Sequence, residues 1–559
     1  MTKKRPRKQT WLLLMLMSGL AAIKAGFFLP YEITLGAYAN YSPLLAISGA
    51  SFLCVSLVLC QNLWSLTDKR LLDFFVAFSV MVALAWHIPA ERRIDSDESR
   101  MIATAQSIRL AGTAYAVDTG VFRQDGTLIA TSATLDKRGV FFPAQIAVLD
   151  SVFGPSDRHP LWLSWISGLF ALFLAARLAR RFLPTDLVLF VPLIFGVFPL
   201  FANHSRVGTF DVMNLAVMLL LVHVSFSCWY RPDRARFFLL MVVGCVLSQI
   251  RYESVALVAV VFVAAMCLTI FVERFAHLRP LAVMAPWMLI PAALRKAVPF
   301  DDLLPAPWFS AWSVDNFGTN IEHLLAFVVT GGQHAMGNPW LGAACVLLLL
   351  SLPFEWRRLA LYTKEQLQRL AVLSISISVP TAIILFYFWG KANLNFTVRY
   401  FLPFSLILIF GSLAMVAIVA RKRQIRVALA GLLSVVSLVW AFPRTKDAGL
   451  LSDLAYAHRV RMVTSVLSKT SFQCEGVLVA DRGLVFTIHG FSSISKEELD
   501  NPKISALVGT ETNRRLDLTD TLFIGDDESF RAILTPLAVG TCSRTLRRID
   551  LSSAKLHGR

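Results

Sequence analysis

The chain has 559 residues, of which 56% are hydrophobic and 41 are phenylalanine. A soluble protein of this length needs more polar surface, so the composition indicates a polytopic membrane protein rather than several globular domains. The net charge of +17 does not indicate nucleic-acid binding, because much of the Lys and Arg lies in short clusters between apolar runs, where basic residues set topology against the membrane.

The amino-terminal end is basic, with five Lys or Arg among its first ten residues, and an apolar run follows at once. Because basic residues are enriched on the cytoplasmic side, this end is predicted to be cytoplasmic, followed by a retained helix. In all, thirteen apolar segments predict about thirteen transmembrane helices. Their approximate bounds are 11–29, 42–64, 71–89, 160–178, 185–203, 210–229, 236–250, 254–272, 281–297, 340–354, 370–390, 400–420 and 425–442.

The connections between these segments alternate in charge. All seven segments predicted to face the cytoplasm, the amino terminus included, carry two or more basic residues. This regularity predicts a multi-pass protein of the bacterial inner membrane with its carboxyl terminus in the periplasm or another extracytoplasmic space. The outer face then receives a long loop at 90–159 and the short connections that hold Asp211, Arg251 and Arg399.

The character of the chain changes near residue 445. Residues 1–444 are predicted to form the transmembrane domain, and 445–559 a small soluble α/β domain outside the membrane. Cys474 and Cys542 are the two cysteines of this region, and in an oxidising compartment they are expected to form a disulfide. The predicted elements are a helix at 453–469 and strands at 476–480, 484–488 and 521–524.

An acidic stretch opens the long outer loop, with Asp95, Asp97 and Glu98 in four residues. A water-filled loop holds such a cluster at little cost, whereas each charge at bilayer depth would cost about 2.5–3.5 kcal/mol. The side of the membrane that this stretch faces therefore decides where chemistry takes place.

Several short motifs, all on the predicted outer side, resemble those of the GT-C membrane glycosyltransferases. That group includes the protein O-mannosyltransferases and the lipid A aminoarabinose transferase. The likeness covers mainly residues 90–260 and 390–420. The motifs are, in chain order, Asp97-Glu98, a helix that ends at Gly112, Asp136-Lys137, Phe153-Gly154 with Arg158 beyond, Thr209-Phe210-Asp211, and Arg399-Tyr400 with Pro403.

The resemblance implies a role for each matched residue. Asp97 is expected to be the catalytic base that takes the acceptor proton, with Glu98 as its helper. Lys137 and Arg399, with Tyr400, are expected to bind the donor phosphate, since a lysine offers a point charge and an arginine a planar fork.

Supporting positions follow from the same motifs. Asp136 and Asp211 are expected to orient the cations, and Arg158 and Asp95 to support the site. A divalent metal held by such carboxylates with His204 or His334 is an alternative, although three ligands cannot be assembled from the sequence. The metal question therefore stays open.

Other interpretations compete with these roles. Asp97 and Glu98 could simply begin a helix capped by Ser96, and Asp95 is the next candidate for the base. Arg399 could be an interfacial arginine whose side chain reaches the headgroups.

Two departures from the family pattern stand out. Arg138-Gly139 follows Lys137 where relatives carry two prolines. Arg251 and Glu253 flank a tyrosine where close relatives often carry Lys-Gly-Pro, and we expect these two side chains to pair with each other.

The sequence thus predicts a GT-C-like polytopic α-helical membrane protein. Its expected activity is transfer of a hexosyl or pentosyl group, with inversion, from a polyprenyl-phosphate donor to a cell-envelope glycan, lipid or protein. The alternatives are a lipid-linked saccharide flippase and an outer-leaflet glycan ligase or polymerase. The nearly uncharged spans disfavour the flippase, since transport pathways carry polar groups along several helices.

Overall fold

The structure is a computed structural model in which helices predominate. It describes residues 8–27, 30–60, 68–88, 95–123, 125–136, 138–297, 313–332, 336–359, 377–387, 390–393, 397–447, 476–480, 484–495, 498, 501, 504, 514–517, 546–551 and 555–557. The longer helices are α1 (Lys8–Phe27), α2 (Tyr31–Leu59), α3 (Asp68–His87), α4 (Asp95–Ala111), α5 (Phe141–Phe153), α6 (His159–Ala179), α9 (Asp211–Tyr230), α10 (Arg234–Ser248), α11 (Tyr252–Phe271), α14 (Val314–Thr330), α15 (Pro339–Leu359), α16 (Ile377–Phe386), α17 (Leu402–Val419) and α18 (Arg423–Asp447). The short ones are α7 (Phe190–Gly196), α8 (Pro199–His204), α12 (Arg279–Ala282), α13 (Ile290–Ala293) and α19 (Leu484–Thr487).

Seven of the described helices are long and apolar enough to cross a membrane. They are α2, α3, α6, α9, α11, α17 with the 3-10 turn before it, and α18. The described part of the chain is therefore a polytopic helical membrane protein, and the count of about thirteen spans stays a prediction. Helix α9 lies at the centre, since 83% of its apolar window is buried, against 17% for the peripheral α18.

Two of the predicted spans are not continuous helices. The segment at 185–203 forms α7 and α8, which are separated before Pro199. The segment at 281–297 forms short helices and 3-10 turns in series, with Pro286 and Pro291 near the starts of two of them. Proline lacks an N–H and clashes with the preceding turn, so it begins helices more readily than it continues them.

A mixed sheet lies beside the helices. The long outer loop supplies the antiparallel hairpin of β1 (Tyr115–Phe122) and β2 (Thr127–Leu135). The carboxyl-terminal region supplies β3 (Gly476–Val479), β4 (Ser492–Ile494), β5 (Arg514–Asp517), β6 (Arg548–Asp550) and β7 (Lys555–His557). The strand order is β5-β3-β4-β1-β2-β6, and β7 also pairs with β2.

The sheet combines strands from both parts of the chain. Of the described carboxyl-terminal strands, β4, β6 and β7 pair with the hairpin of the outer loop, while β3 and β5 extend the sheet beyond β4. The strand predicted at 476–480 is confirmed as β3, but the one predicted at 484–488 is wrong, because these residues form α19. The predicted helix at 453–469, the strand at 521–524 and the Cys474–Cys542 disulfide lie outside the described residues.

The loops predicted to face opposite sides lie at opposite ends of the bundle. Near the start of α6, the Ser164 hydroxyl donates to the Thr209 carbonyl at 2.9 Å. Just past its end, Nε of Arg180 donates to Asp73 at 2.7 Å. Since Ser164 and Arg180 are 16 residues apart, these contacts are about 24 Å apart along the helix axis. We call the end that holds α4, Thr209 and Asp211 the loop end.

Gly139 fixes the loop between β2 and α5 against the chain before α11. A Cβ at this position would lie 1.7 Å from the carbonyl oxygen of Gln249, a distance that no side chain tolerates. The absence of a side chain therefore lets residues 138–140 lie directly on the backbone that leads to Arg251.

We predict that Gly139→Ala lowers the melting temperature of the purified protein, because overpacking of this kind costs about 1–3 kcal/mol. Gly431→Ala is the matched control, since a Cβ there meets nothing within 4 Å. An unchanged melting temperature for Gly139→Ala would show that the contact with Gln249 does not constrain the loop.

Candidate active site

Asp97 lies near the start of α4, and its buried side chain is held between two arginines. Its Oδ2 accepts a hydrogen bond of 2.5 Å from Nη2 of Arg399, which is 302 residues further along the chain. Its Oδ1 is bound by Nη2 of Arg138. The side chains of Asp97 and Arg399 are both 5% exposed, whereas that of Arg138 is 21% exposed. One guanidinium therefore approaches Asp97 from inside the bundle and the other from its surface.

Arg138 is fixed at its base by its own loop. Asp136 accepts a hydrogen bond from the Arg138 backbone N–H at 2.9 Å and another from Nη1 at 3.2 Å. The Tyr38 hydroxyl on α2 donates to the Arg138 carbonyl at 3.1 Å. Burial acts to lower the pKa of Arg138, but Asp136 and Asp97 raise it more, so the guanidinium stays charged.

A second ion cluster lies at the start of α9 and α11. Arg251 forms a fork with Glu253, with Nε–Oε2 and Nη2–Oε1 distances of 3.1 and 2.9 Å, as the sequence predicted. Its Nη1 binds Oδ1 of Asp211. Burial acts to lower the pKa of Arg251, while Glu253 and Asp211 raise it further, so this arginine also stays charged.

Arg399 joins the two clusters. Its Nη1 lies 3.7 Å from Oδ2 of Asp211, in addition to the bond from Nη2 to Asp97. Tyr400 lies beside both arginines, with the ring centroid 4.4 Å from Cζ of Arg251 and 5.7 Å from Cζ of Arg399, which is within cation–π range.

Part of the Arg399 fork is open to a further partner. Its Nε and Nη1 are buried and have no hydrogen-bond partner among the described residues. A cavity of about 20 Å³ adjoins this side chain, which is room for a single water molecule. Its lining includes Asn214, Ser254, Tyr400 and Pro403. Buried donors of this kind normally bind an acceptor, so Arg399 can take one more anionic or carbonyl oxygen.

Glu98 contacts the backbone of the turn before α9. Its Oε1 accepts a hydrogen bond of 2.6 Å from the Gly208 N–H, and the carboxylate is buried. Gly208 precedes α9 by three residues, and a Cβ there would lie 2.8 Å from Cβ of Pro160. Glu98 thus holds the turn that delivers Asp211 to the cluster.

The described carboxylates of this cluster outnumber its arginines. Arg138, Arg251 and Arg399 contribute three positive charges, and their ion-pair partners Asp97, Asp136, Asp211 and Glu253 contribute four negative ones. The difference is a net charge of −1 over these described residues. An incoming anion that binds Arg138 or Arg251 therefore competes with the carboxylates that already bind them.

The chain resembles solved structures of a membrane transferase. It matches the crystal structure of ArnT from Cupriavidus metallidurans bound to undecaprenyl phosphate with a TM-score of 0.50 and 12% identity, over 85% of this chain and 96% of that one.

The chain shares the fold of ArnT. ArnT is the lipid A aminoarabinose transferase, a GT-C protein, so the fold implied by the sequence motifs is confirmed. The apo structure of the same protein matches with a TM-score of 0.47 and 12% identity, over 84% of this chain and 96% of that one. No protein-family model and no curated protein matches the sequence.

Within this ArnT-like fold, most of the predicted site residues lie together. Asp97, Asp136, Asp211, Arg399 and Tyr400 belong to one continuous cluster at the loop end, with Glu98 beside it.

Three predicted positions are not part of the described cluster. Lys137 lies outside the described residues, and only the backbone of Asp95, the first residue of α4, is described. Arg158 is exposed just before the buried His159 and Pro160 of α6, and no described side-chain contact joins it to the cluster.

Sequence reasoning missed the roles of two arginines. Arg138 was noted only as a departure from the family motif, and Arg251 only as a partner of Glu253. The available signal was charge: each is an arginine next to a motif residue, in a segment predicted to be on the same side of the membrane as Asp97.

The sequence left a divalent metal open as an alternative. Among the residues that the structure describes, no group of three or more His, Cys, Asp and Glu side chains is placed to hold a metal ion. Nδ1 of His204 lies 3.9 Å from Oδ2 of Asp211, and His334 is outside the described residues.

We predict that Arg251→Ala lowers the free energy of unfolding by about 3–5 kcal/mol, because the buried carboxylates of Asp211 and Glu253 would lose the guanidinium that compensates their charge. The measurement is the thermal unfolding midpoint of the purified protein. Arg100→Ala is the control, since its pair with Asp118 is 32% and 19% exposed and such pairs contribute about 0–1 kcal/mol. Equal shifts for the two variants would contradict a supporting role for the buried cluster.

Proposed function

We propose that this protein is an inverting glycosyltransferase that moves a sugar from a polyprenyl-phosphate donor to a hydroxyl group on an extracytoplasmic acceptor. The observation that carries the proposal is the buried bridge from Asp97 to Arg399. It joins a carboxylate suited to proton abstraction to a guanidinium with two donors still available. The shared fold supports the same conclusion, since ArnT was crystallised with undecaprenyl phosphate.

The chemistry follows from these two groups. The acceptor oxygen attacks the anomeric carbon of the donor, the bond from that carbon to the phosphate oxygen breaks, and the acceptor proton passes to Asp97. The polyprenyl phosphate leaves with the bonding electron pair and so gains one negative charge. Arg399 stabilises that charge through Nε or Nη1.

The ion pair couples the two halves of this reaction. When Asp97 takes the proton, it loses its charge and its hold on Nη2 of Arg399 weakens. The guanidinium is then released toward the phosphate at the moment when the phosphate becomes more negative. Proton transfer and departure of the leaving group therefore assist each other.

The surrounding residues have supporting roles in this proposal. Asp211 and Tyr400 hold Arg399 in place, and Glu98 fixes the turn before α9. Lys137, next to Asp136, is proposed as a second phosphate contact, as the motif implies. The active site faces the periplasm, and the donor is the sugar-bearing lipid of the outer leaflet.

We predict that Asp97→Asn lowers turnover by about 10²–10⁴-fold, the usual contribution of a general base, while the purified variant still binds undecaprenyl phosphate. Mass spectrometry of envelope glycans and lipids, from cells with the wild-type chain, with the variant and without the chain, measures the transfer. A hexose- or pentose-sized mass increment is expected with the wild type, and it should be strongly reduced with Asp97→Asn and absent without the chain.

Asp118→Asn is the matched control, because Asp118 pairs with Arg100 on the sheet, outside the cluster. Its increment should equal that of the wild type. If Asp97→Asn retained most of the activity, the proposed role of Asp97 as the base would be wrong. The protein would then be a transporter of lipid-linked saccharide or another protein that does not activate a hydroxyl group.

A further inference from the structure

We propose that Arg138 binds the donor phosphate and, before the donor arrives, masks the catalytic carboxylate of Asp97. This inference rests on the proposed glycosyl transfer and adds a residue that the family motif does not contain. In that motif a proline stands where this chain has Arg138. The argument rests on where the Arg138 side chain lies, what fixes it and what it must release.

Exposure distinguishes Arg138 from the other two arginines of the cluster. Its side chain is 21% exposed, against 5% for Arg399 and 7% for Arg251. A charged headgroup that enters from outside therefore reaches Arg138 before it reaches either buried guanidinium.

The anchoring of Arg138 lets its tip move while its base stays fixed. The backbone is held by Asp136, by the Tyr38 hydroxyl and by the close approach at Gly139. The only described contact from the tip to Asp97 is through Nη2. Nη1 of the same guanidinium is bound to Asp136, so a pivot about that contact moves Nη2 from Asp97 to a neighbouring oxygen without movement of the loop.

Charge supplies the reason for such an exchange. Arg138 is bound to Asp97 through Nη2 and to Asp136 through Nη1, so a phosphate that takes Nη2 displaces the Asp97 carboxylate. At Asp97 this displacement has a second effect. A carboxylate bound on both oxygens by arginine is a weak base, and loss of the contact with Arg138 makes Asp97 more basic.

The consequence is an ordered site. Without a donor, Asp97 is covered from the accessible side and cannot activate water or a stray hydroxyl. When the donor phosphate binds Arg138, the base is uncovered beside the sugar that it serves. Donor binding therefore precedes activation of the acceptor.

A double-mutant cycle on lipid binding tests this assignment. The full-length protein in nanodiscs is titrated with undecaprenyl phosphate as the probe, for the wild type, Arg138→Ala, Asp97→Asn and the double variant. We expect Arg138→Ala to weaken binding about tenfold, the scale of one lost charge-assisted hydrogen bond. The loss of affinity caused by Arg138→Ala should be larger in the Asp97→Asn background, because there Arg138 does not have to leave the Asp97 carboxylate in order to bind phosphate.

Two further variants keep the result interpretable. Arg138→Lys retains the charge and should bind with intermediate affinity, and it guards against a folding defect in the alanine variant. Arg100→Ala removes an arginine of α4 that pairs with Asp118 away from the cluster, and it should bind like the wild type.

The outcomes separate this inference from the proposed function. If Arg138→Ala bound as tightly as the wild type, or if the two substitutions acted additively, the role of Arg138 would be overturned while the transferase proposal stood. If the wild type did not bind undecaprenyl phosphate at all, the proposed function would fail, and the assignment of Arg138 with it.

Discussion

The ion pair between Asp97 and Arg399 is the interaction on which the loop end of this protein depends. It joins the first helix of the long loop to the start of α17 across 302 residues of sequence. Burying two charges is costly, and such a pair persists only where the geometry is good and the remaining polar atoms find partners. Arg138 and Arg251 supply further partners for Asp97 and Asp211, whereas Nε and Nη1 of Arg399 have no hydrogen-bond partner among the described residues. What results is a network that is stable as a whole and would be destabilised by removal of any one arginine.

The architecture around this network serves to position it. Helix α9 at the centre of the bundle presents Asp211 at its first turn, and the hairpin of the long loop leads to Asp136 and Arg138 beside α4. Strands from the carboxyl-terminal region extend the same sheet, so the last part of the chain supports the hairpin that precedes Asp136 and Arg138. The sheet thereby connects the two predicted domains.

Much of this could be predicted from sequence, because the determinants are local. Apolar runs and basic connections predict a helical membrane protein. An acidic pair followed by a run that ends at Gly112 predicts α4, and the structure has this pair in the first turn of α4 and a φ of +68° at Gly112. Other features depend on contacts between distant segments. Leu484–Thr487 has the composition of a strand but forms a helix packed against α4 and β1. The roles of Arg138 and Arg251 depend on carboxylates 41 and 40 residues away. The motif indicated where the phosphate-binding cations should lie, but not which side chain would contact Asp97.

The central claim is that Arg399 offers its free donors to a phosphate beside Asp97. An experimental structure of the Asp97→Asn variant in nanodiscs with undecaprenyl phosphate tests it most directly, since the substitution stops turnover and leaves the geometry nearly unchanged. The account predicts phosphate density within hydrogen-bonding distance of Nε or Nη1 of Arg399, with the Arg138 side chain turned from residue 97 toward the phosphate. Density for the phosphate at the opposite end of the bundle, near Arg180 and Asp73, would contradict it.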